Sequence, residues 1–166
     1  MTLPEPSAEN CFLLDHIRLL SDSLLHWSGC GLMDAVADEE VAARMVYFAP
    51  FALLAHGTGD DPTFTYANLT AQQLFEMDWQ TITRLPSRLS AETMLQAERQ
   101  ALLQRVAEHG YIDDYTGIRI ASSGRRFCIE QATVWNLQEC GRQLCGQAAM
   151  FRLWHPIKPL PSGDAR

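Results

Sequence analysis

The chain has 166 residues, 47% of them hydrophobic and 20% charged, enough for one domain with a buried core. A formal charge of −7 disfavours binding to a nucleic-acid backbone, and the basic residues of TRLPSR and GRR are too few to line a groove. No apolar run is long enough to span a bilayer, and MTLPEPSAEN lacks the basic start and apolar stretch of a secretory signal.

Residues 1–8 carry two prolines and no periodicity, which predicts a loose tail. Leu13, Ile17, Leu20, Leu24 and Trp27 then recur at helical spacing, with Asp15, Arg18 and Asp22 off the stripe. The SGCG stretch at 28–31 supplies glycines that end this amphipathic helix. EEVAARMVY at 39–47 predicts a second, short helix, stopped by Pro50. FALLAHG at 51–57 and TFTYA at 63–67 read as two strands joined by the turn GTGDDP. Asn68 suits the cap of a helix through LTAQQLFEM, and Asp78 or Thr81 can start a further turn that LPSRLS interrupts. Ser90 can cap a long helix over 91–109, with Met94, Leu95, Leu102 and Val106 along one side and Gly110 at its end.

Three strands follow, near 111–121, 126–138 and 143–154, before the proline-rich tail HPIKPLPSGDAR at 155–166. A hairpin and a three-strand meander split by helices most simply form one five-stranded antiparallel sheet in an α+β domain over 9–154, with helices on one face. The odd count of five cysteines without a CxxC pair predicts free, mostly buried thiols in a reducing cytoplasm. Scattered histidines without ligand spacing give no expectation of a metal.

The stretch YIDDYTGIRIASSGRRFCIEQATVWNL at 111–137 reads as a hairpin whose register sets everything built on it. With Ser123-Gly124 as a two-residue turn, Ile118 faces Ile129, Ile120 faces Phe127 and Ile112 faces Trp135. Asp114, Thr116, Gln131 and Thr133 then form a polar band within the apolar face, and Arg119 lies on the opposite, solvated face near Glu130. With Cys140-Gly141 as the next turn, Trp135 faces Gly146, Thr133 faces Ala148 and Gln131 faces Met150, so space and polarity coincide beneath the helices.

TFTYANLTAQQLF resembles the element of PAS domains in which a strand runs into Asn and a short helix. TYAN, LPSRLSAE, the 112–137 stretch and GQAAMF resemble the MEKHLA domain, a PAS-like family, over roughly residues 9–154, and the match is similar to its bacterial single-domain type. The letters M-E-K-H-L-A that named the domain in plants are absent, and no homeodomain or zipper accompanies it. The resemblance implies sensing or regulated interaction, names no cofactor, and carries over nothing about DNA.

No catalytic motif appears: there is no GxSxG, GxGxxG or phosphate loop, and the adjacent Asp113 and Asp114 should point to opposite faces. No cysteine lies between Leu69 and Gly110, which excludes flavin-adduct photochemistry of the PAS type without excluding flavin binding. His109, the one histidine of that stretch, suits a helix C-terminus better than haem. The expectation is a non-catalytic sensor of a small molecule, a partner protein or both. Its pocket is polar at Asp114, Thr116, Gln131 and Thr133 and walled by Trp135, Tyr66, Phe75 and Met150, with Arg84 or Arg88 reaching in. The alternative is a closed structural network inside a pure interaction module. The stripe Leu13, Ile17, Leu20, Leu24 and Trp27 should cover the outer sheet face of Ala132, Val134, Ala149, Phe151 and Leu153, in its own chain or swapped into a homodimer.

Overall fold

The computed structural model describes residues 2–32, 38–91, 96–139 and 143–158. Helices α1 (Leu14–Ser28) and α2 (Glu39–Tyr47) precede the hairpin β1 (Ala52–His56) and β2 (Phe64–Ala67). Helices α3 (Leu69–Phe75), α4 (Trp79–Ile82) and α5 (Gln96–His109) lead to β3 (Tyr111–Ile120), β4 (Arg126–Gln138), β5 (Leu144–Phe151) and the short β6 (Leu153–Pro156). One antiparallel sheet has the order β2-β1-β5-β4-β3, and β6 continues the β5 lane alongside β4.

The predicted elements form where their caps allow. Asn68 caps α3 through Ala71 N–H at 3.1 Å, and the same oxygen accepts from Leu53 N–H of β1. Its amide donates to the carbonyls of Val46 and Phe51, so one buried side chain binds α2, β1 and α3 together. Asp78 caps α4 through Thr81 N–H at 2.8 Å. The expected start of the long helix, with Met94 and Leu95, lies outside the described residues; Leu102 and Val106 pack on Ile112 and Val134 as their spacing predicts.

Helices cover both faces of the sheet. On the outer face, α1 lays Ile17, Leu20 and Leu24 on Leu53, Ala55, Tyr66, Trp135, Leu137 and Ala148. Trp135 Nε1 donates to Leu20 O and Trp27 Nε1 to Asn136 O, each at 3.0 Å, fixing the helix position by two directional bonds. The stripe therefore covers the sheet within its own chain, but on the face of Trp135, Leu137 and Ala148; Ala132, Val134, Ala149 and Phe151, the residues expected beneath it, lie under α3 to α5. On the inner face, α3 to α5 cover Ala52, Leu54, Phe64, Phe127, Ile129, Ala132 and Phe151.

The hairpin register differs by one residue from expectation: Ile118 faces Cys128, Gly117 faces Ile129 and Ile120 faces Arg126. The cause is the turn. Gly124 N–H donates to Ala121 O, Ala121 N–H donates to Arg125 O, and Gly124 has φ +88°, so three residues close the loop with a left-handed glycine. Two further irregularities in β3 and a left-handed Gln131 (φ +50°) in β4 shift the alternation again. Phe127 and Ile129 thus share the inner face with Ala132 and Val134, while Trp135 and Leu137 turn outward. The next pairing slips by two, Trp135 facing Ala148 and Thr133 facing Met150, which preserves a small residue opposite the tryptophan.

Parts of both predicted tails, 1–8 and 155–166, are held by contacts, while residues 159–166 lie outside the described residues. Leu3 O accepts from Trp79 Nε1 at 3.0 Å, Glu5 accepts from Tyr47 OH, and His155 and Pro156 pair in β6. None of the four described cysteines is buried: Cys11 and Cys30 are exposed, and Cys128 and Cys145 are half-buried. No helix among the described residues is long and apolar enough to cross a membrane.

Candidate functional site: a cavity between the sheet and the helices

Strand alternation on β1, β5 and β4 places His56, Gln147 and Asn136 side by side, because His56 pairs with Gln147 and Gln147 with Asn136. Gln147 Nε2 donates to Asn136 Oδ1 at 3.0 Å, and Asn136 Nδ2 donates to Val106 O at the end of α5. His56 Nδ1 lies 2.8 Å from Gly57 O, a geometry that the Nδ1–H tautomer satisfies by donating to that carbonyl. Burial holds the His56 pKa below its ordinary value; Gly57 O opposes this, and the Arg99 charge adds to it. The ring is neutral near pH 7.

Against this polar row lies an inner cavity of ≈ 70 Å³, walled by Leu54, Phe64, Phe75, Leu102, Ile129, Val134 and Phe151. Arg99 of α5 and Tyr115 and Arg119 of β3 also line it. Gly117 lets the Tyr115 hydroxyl fold over its own strand, since a Cβ there would come within 2.2 Å of that oxygen. Arg119 Nη2 donates to the same hydroxyl at 3.1 Å, and its guanidinium stands 5.2 Å from the ring centre. His56, Arg99, Leu103 and Gln147 also line an adjoining hollow of ≈ 370 Å³ framed by the 57–62 loop, Ser87, Arg88 and Gln100. These four residues stand at the throat between an apolar chamber and a polar mouth.

Arg99 is the unusual member. Its side chain is buried and donates to Ser87 Oγ at 2.6 Å, yet no carboxylate lies within ion-pair distance of it among the described residues. Burial, then the Arg119 charge, pulls its pKa down to about 10, so it remains cationic at neutral pH. Asp61 attracts the guanidinium only from beyond ion-pair distance, and an acid group entering the throat would stabilise the buried cation further.

The residues expected to form the pocket are not brought together. Phe75 walls the inner cavity. Tyr66 and Trp135 are fully buried on the opposite face beneath α1. Gln131, Thr133 and Met150 line a separate hollow of ≈ 260 Å³ at the kink where Gln131 lies beside Arg152. Thr116 is exposed, and Asp114 is exposed 3.5 Å from Arg105. Arg84 is exposed, while Arg88 sits at the outer mouth and pairs with Asp61 at 2.9 Å. Arg119, expected on the solvated face beside Glu130, faces the cavity, and Glu130 faces His155. For the residues of β3 and β4 the reason is register: a one-residue slip or bulge exchanges the two faces of the residues beyond it. His56 was legible, two residues beyond the inward Leu54. Arg99, in a charged helical stretch, carried no signal at all.

A family model for the MEKHLA domain matches residues 14–156. The homeobox-leucine zipper protein ATHB-14 of Arabidopsis thaliana is 31% identical over 100 residues, which is 58% of this chain and 11% of that protein. The chain thus spans about a tenth of the length of this curated relative. Among solved structures, the PAS domain of a protein from Colwellia psychrerythraea superposes with a TM-score of 0.57 at 13% identity, covering 69% of this chain and 92% of that one. A structure described as an RNA-binding light-oxygen-voltage receptor superposes with a TM-score of 0.58 at 16% identity, covering 70% and 32%. At such identities these neighbours show the fold, which is that of PAS and light-oxygen-voltage domains. With the family model spanning α1 to β6, the chain belongs to the MEKHLA domain family.

Proposed function

We propose that this domain is a non-catalytic sensor that binds a small anionic molecule, its acid group on Arg99 and its apolar body in the chamber beneath α3 to α5. The observation that carries the reading is the buried guanidinium of Arg99 at the throat, beside Arg119 and without a carboxylate partner among the described residues. His56 and Gln147 offer hydrogen-bonding groups at the same point, so the site combines apolar walls with a few placed polar groups. A fold shared with a light-oxygen-voltage receptor supports the reading, and the acidic chain favours neither nucleic acid nor an anionic surface as a partner. Its setting is the cytoplasm.

One observation favours the interaction module instead. The inner chamber holds ≈ 70 Å³, about two waters at roughly 30 Å³ each, so a ligand of any size must enlarge it. Val41, Met45 and Phe48 on and beside α2 are exposed, which suits a dimer or partner contact. Mass spectrometry of small molecules released from the natively purified chain separates the two readings. A carboxylate- or phosphate-bearing compound that co-purifies with the wild type and is lost from Arg99→Met supports the sensor. Equal recovery of it from both proteins, or none from either, overturns it.

A further inference from the structure

Strand β6 brings together three side chains that the inner cavity does not use. Cys128 and His155 are direct cross-strand partners, and Glu130 follows Cys128 by two residues, so all three project from the same, outer face. One ligand atom from each lies within 4.8 Å of the other two. His155 Nδ1 and Glu130 Oε1 are 3.7 Å apart, too long for a hydrogen bond. Two ligands on a tetrahedral zinc at bonds of about 2.0–2.1 Å stand about 3.4 Å apart, so small side-chain rotations close the set around one ion. The Cys128 thiol has only a weak contact, 3.7 Å from Ile129 O. Ile129 and Trp154, on the intervening positions, pack inward and fix both strands, which leaves the ligand-bearing residues little backbone freedom.

We infer that Cys128, Glu130 and His155 form a site for a thiophilic divalent transition metal, zinc in the first instance, with three protein ligands and a fourth position open to solvent. Thiol, imidazole and a single carboxylate select such an ion over calcium or magnesium, which need more oxygen ligands. Coordination transfers the Cys128 Sγ proton to solvent and leaves the thiolate on the metal. The ion ties β6 to β4 across a directly opposed pair. Because Trp154 of β6 packs on Phe151 in the inner cluster, the clamp bears on the wall of the cavity from behind.

The test is a cobalt titration of the full chain. One Co²⁺ per chain, with a thiolate-to-cobalt charge-transfer band, tetrahedral visible bands and displacement by Zn²⁺, is the expected result. Cys128→Ser should abolish the charge-transfer band. His155→Ala and Glu130→Gln should each weaken Zn²⁺ binding by roughly tenfold or more, since loss of outer-shell partners alone costs about 10–100-fold. Cys145→Ser should leave the spectrum unchanged. Zn²⁺ should also slow hydrogen exchange of the β6 amides in the wild type alone. The two exposed substitutions keep the test open if Cys128→Ser fails to fold. A wild type with no charge-transfer band overturns the inference, as does a band that persists in Cys128→Ser or binding indifferent to His155 and Glu130.

Discussion

The two faces of the sheet, each packed with apolar side chains, solve different problems. Beneath α1, the outer face is anchored by large side chains: Trp135 and Tyr66 are fully buried, and the indole N–H of Trp135 has a carbonyl partner on the helix. Beneath α3 to α5, the inner face keeps a chamber, a polar row and a buried cation. The first arrangement maximises packing and holds the domain together. The second retains a charge that a stability-driven core would replace, and the proposed binding role rests on that charge.

The comparison breaks most directly at Trp135. Trp135→Ala should cost about 3–5 kcal/mol in urea unfolding, the range for deleting a large buried aromatic. A much smaller cost would mean that the outer face is not the stabilising one.

Acid tests the same face. His16 packs against Tyr66 with Nε2 buried and without a protein partner among the described residues, and burial lowers its pKa from 6.5 to about 4. Between those values the unfolded chain binds the proton and the native one does not, so this contribution to stability is intact above pH 6.5 and falls as pH drops toward 4. About 3 kcal/mol is at stake over that window. Thermal midpoints from pH 7 to 4 should fall more steeply for the wild type than for His16→Phe. His56 adds a smaller slope of the same sign in both proteins.

Gly146 lies where both faces depend on β5. A Cβ there would stand 2.2 Å from the backbone oxygen of His56, which cannot move without parting β1 from β5. Gly146→Ala should cost about 1–3 kcal/mol by chemical denaturation and disturb the throat as well.

Arg99 sharpens the contrast by changing stability little. Arg99→Met removes a buried charge that has no ion pair among the described residues and keeps comparable bulk, so the unfolding free energy should rise or stay within about 1 kcal/mol of the wild type. A loss several times larger would assign Arg99 to the architecture. Smallest of all, Arg88→Gln breaks a half-exposed pair with Asp61 and should shift stability by less than about 0.5 kcal/mol in the same assay.

Local chemistry made most of the elements legible. The period of Leu13 to Trp27, the capping oxygens of Asn68 and Asp78, and the apolar run of β1 are short-range signals, and each formed the element it predicted. With those elements came the antiparallel sheet and its family. Faces were another matter. Alternation fixes which residues share a side only until a turn gains a residue or a strand bulges. The three-residue loop at Gly124 and the left-handed Gln131 did both within one hairpin. The fold of α5 over the sheet decided the rest, burying Arg99 from a stretch that reads as a solvated helix. The sequence alone thus determined the elements and their family, because capping and periodicity act within a few residues. Which side chains line the cavity was decided by tertiary structure, because register and burial depend on strands and helices brought together from distant parts of the chain.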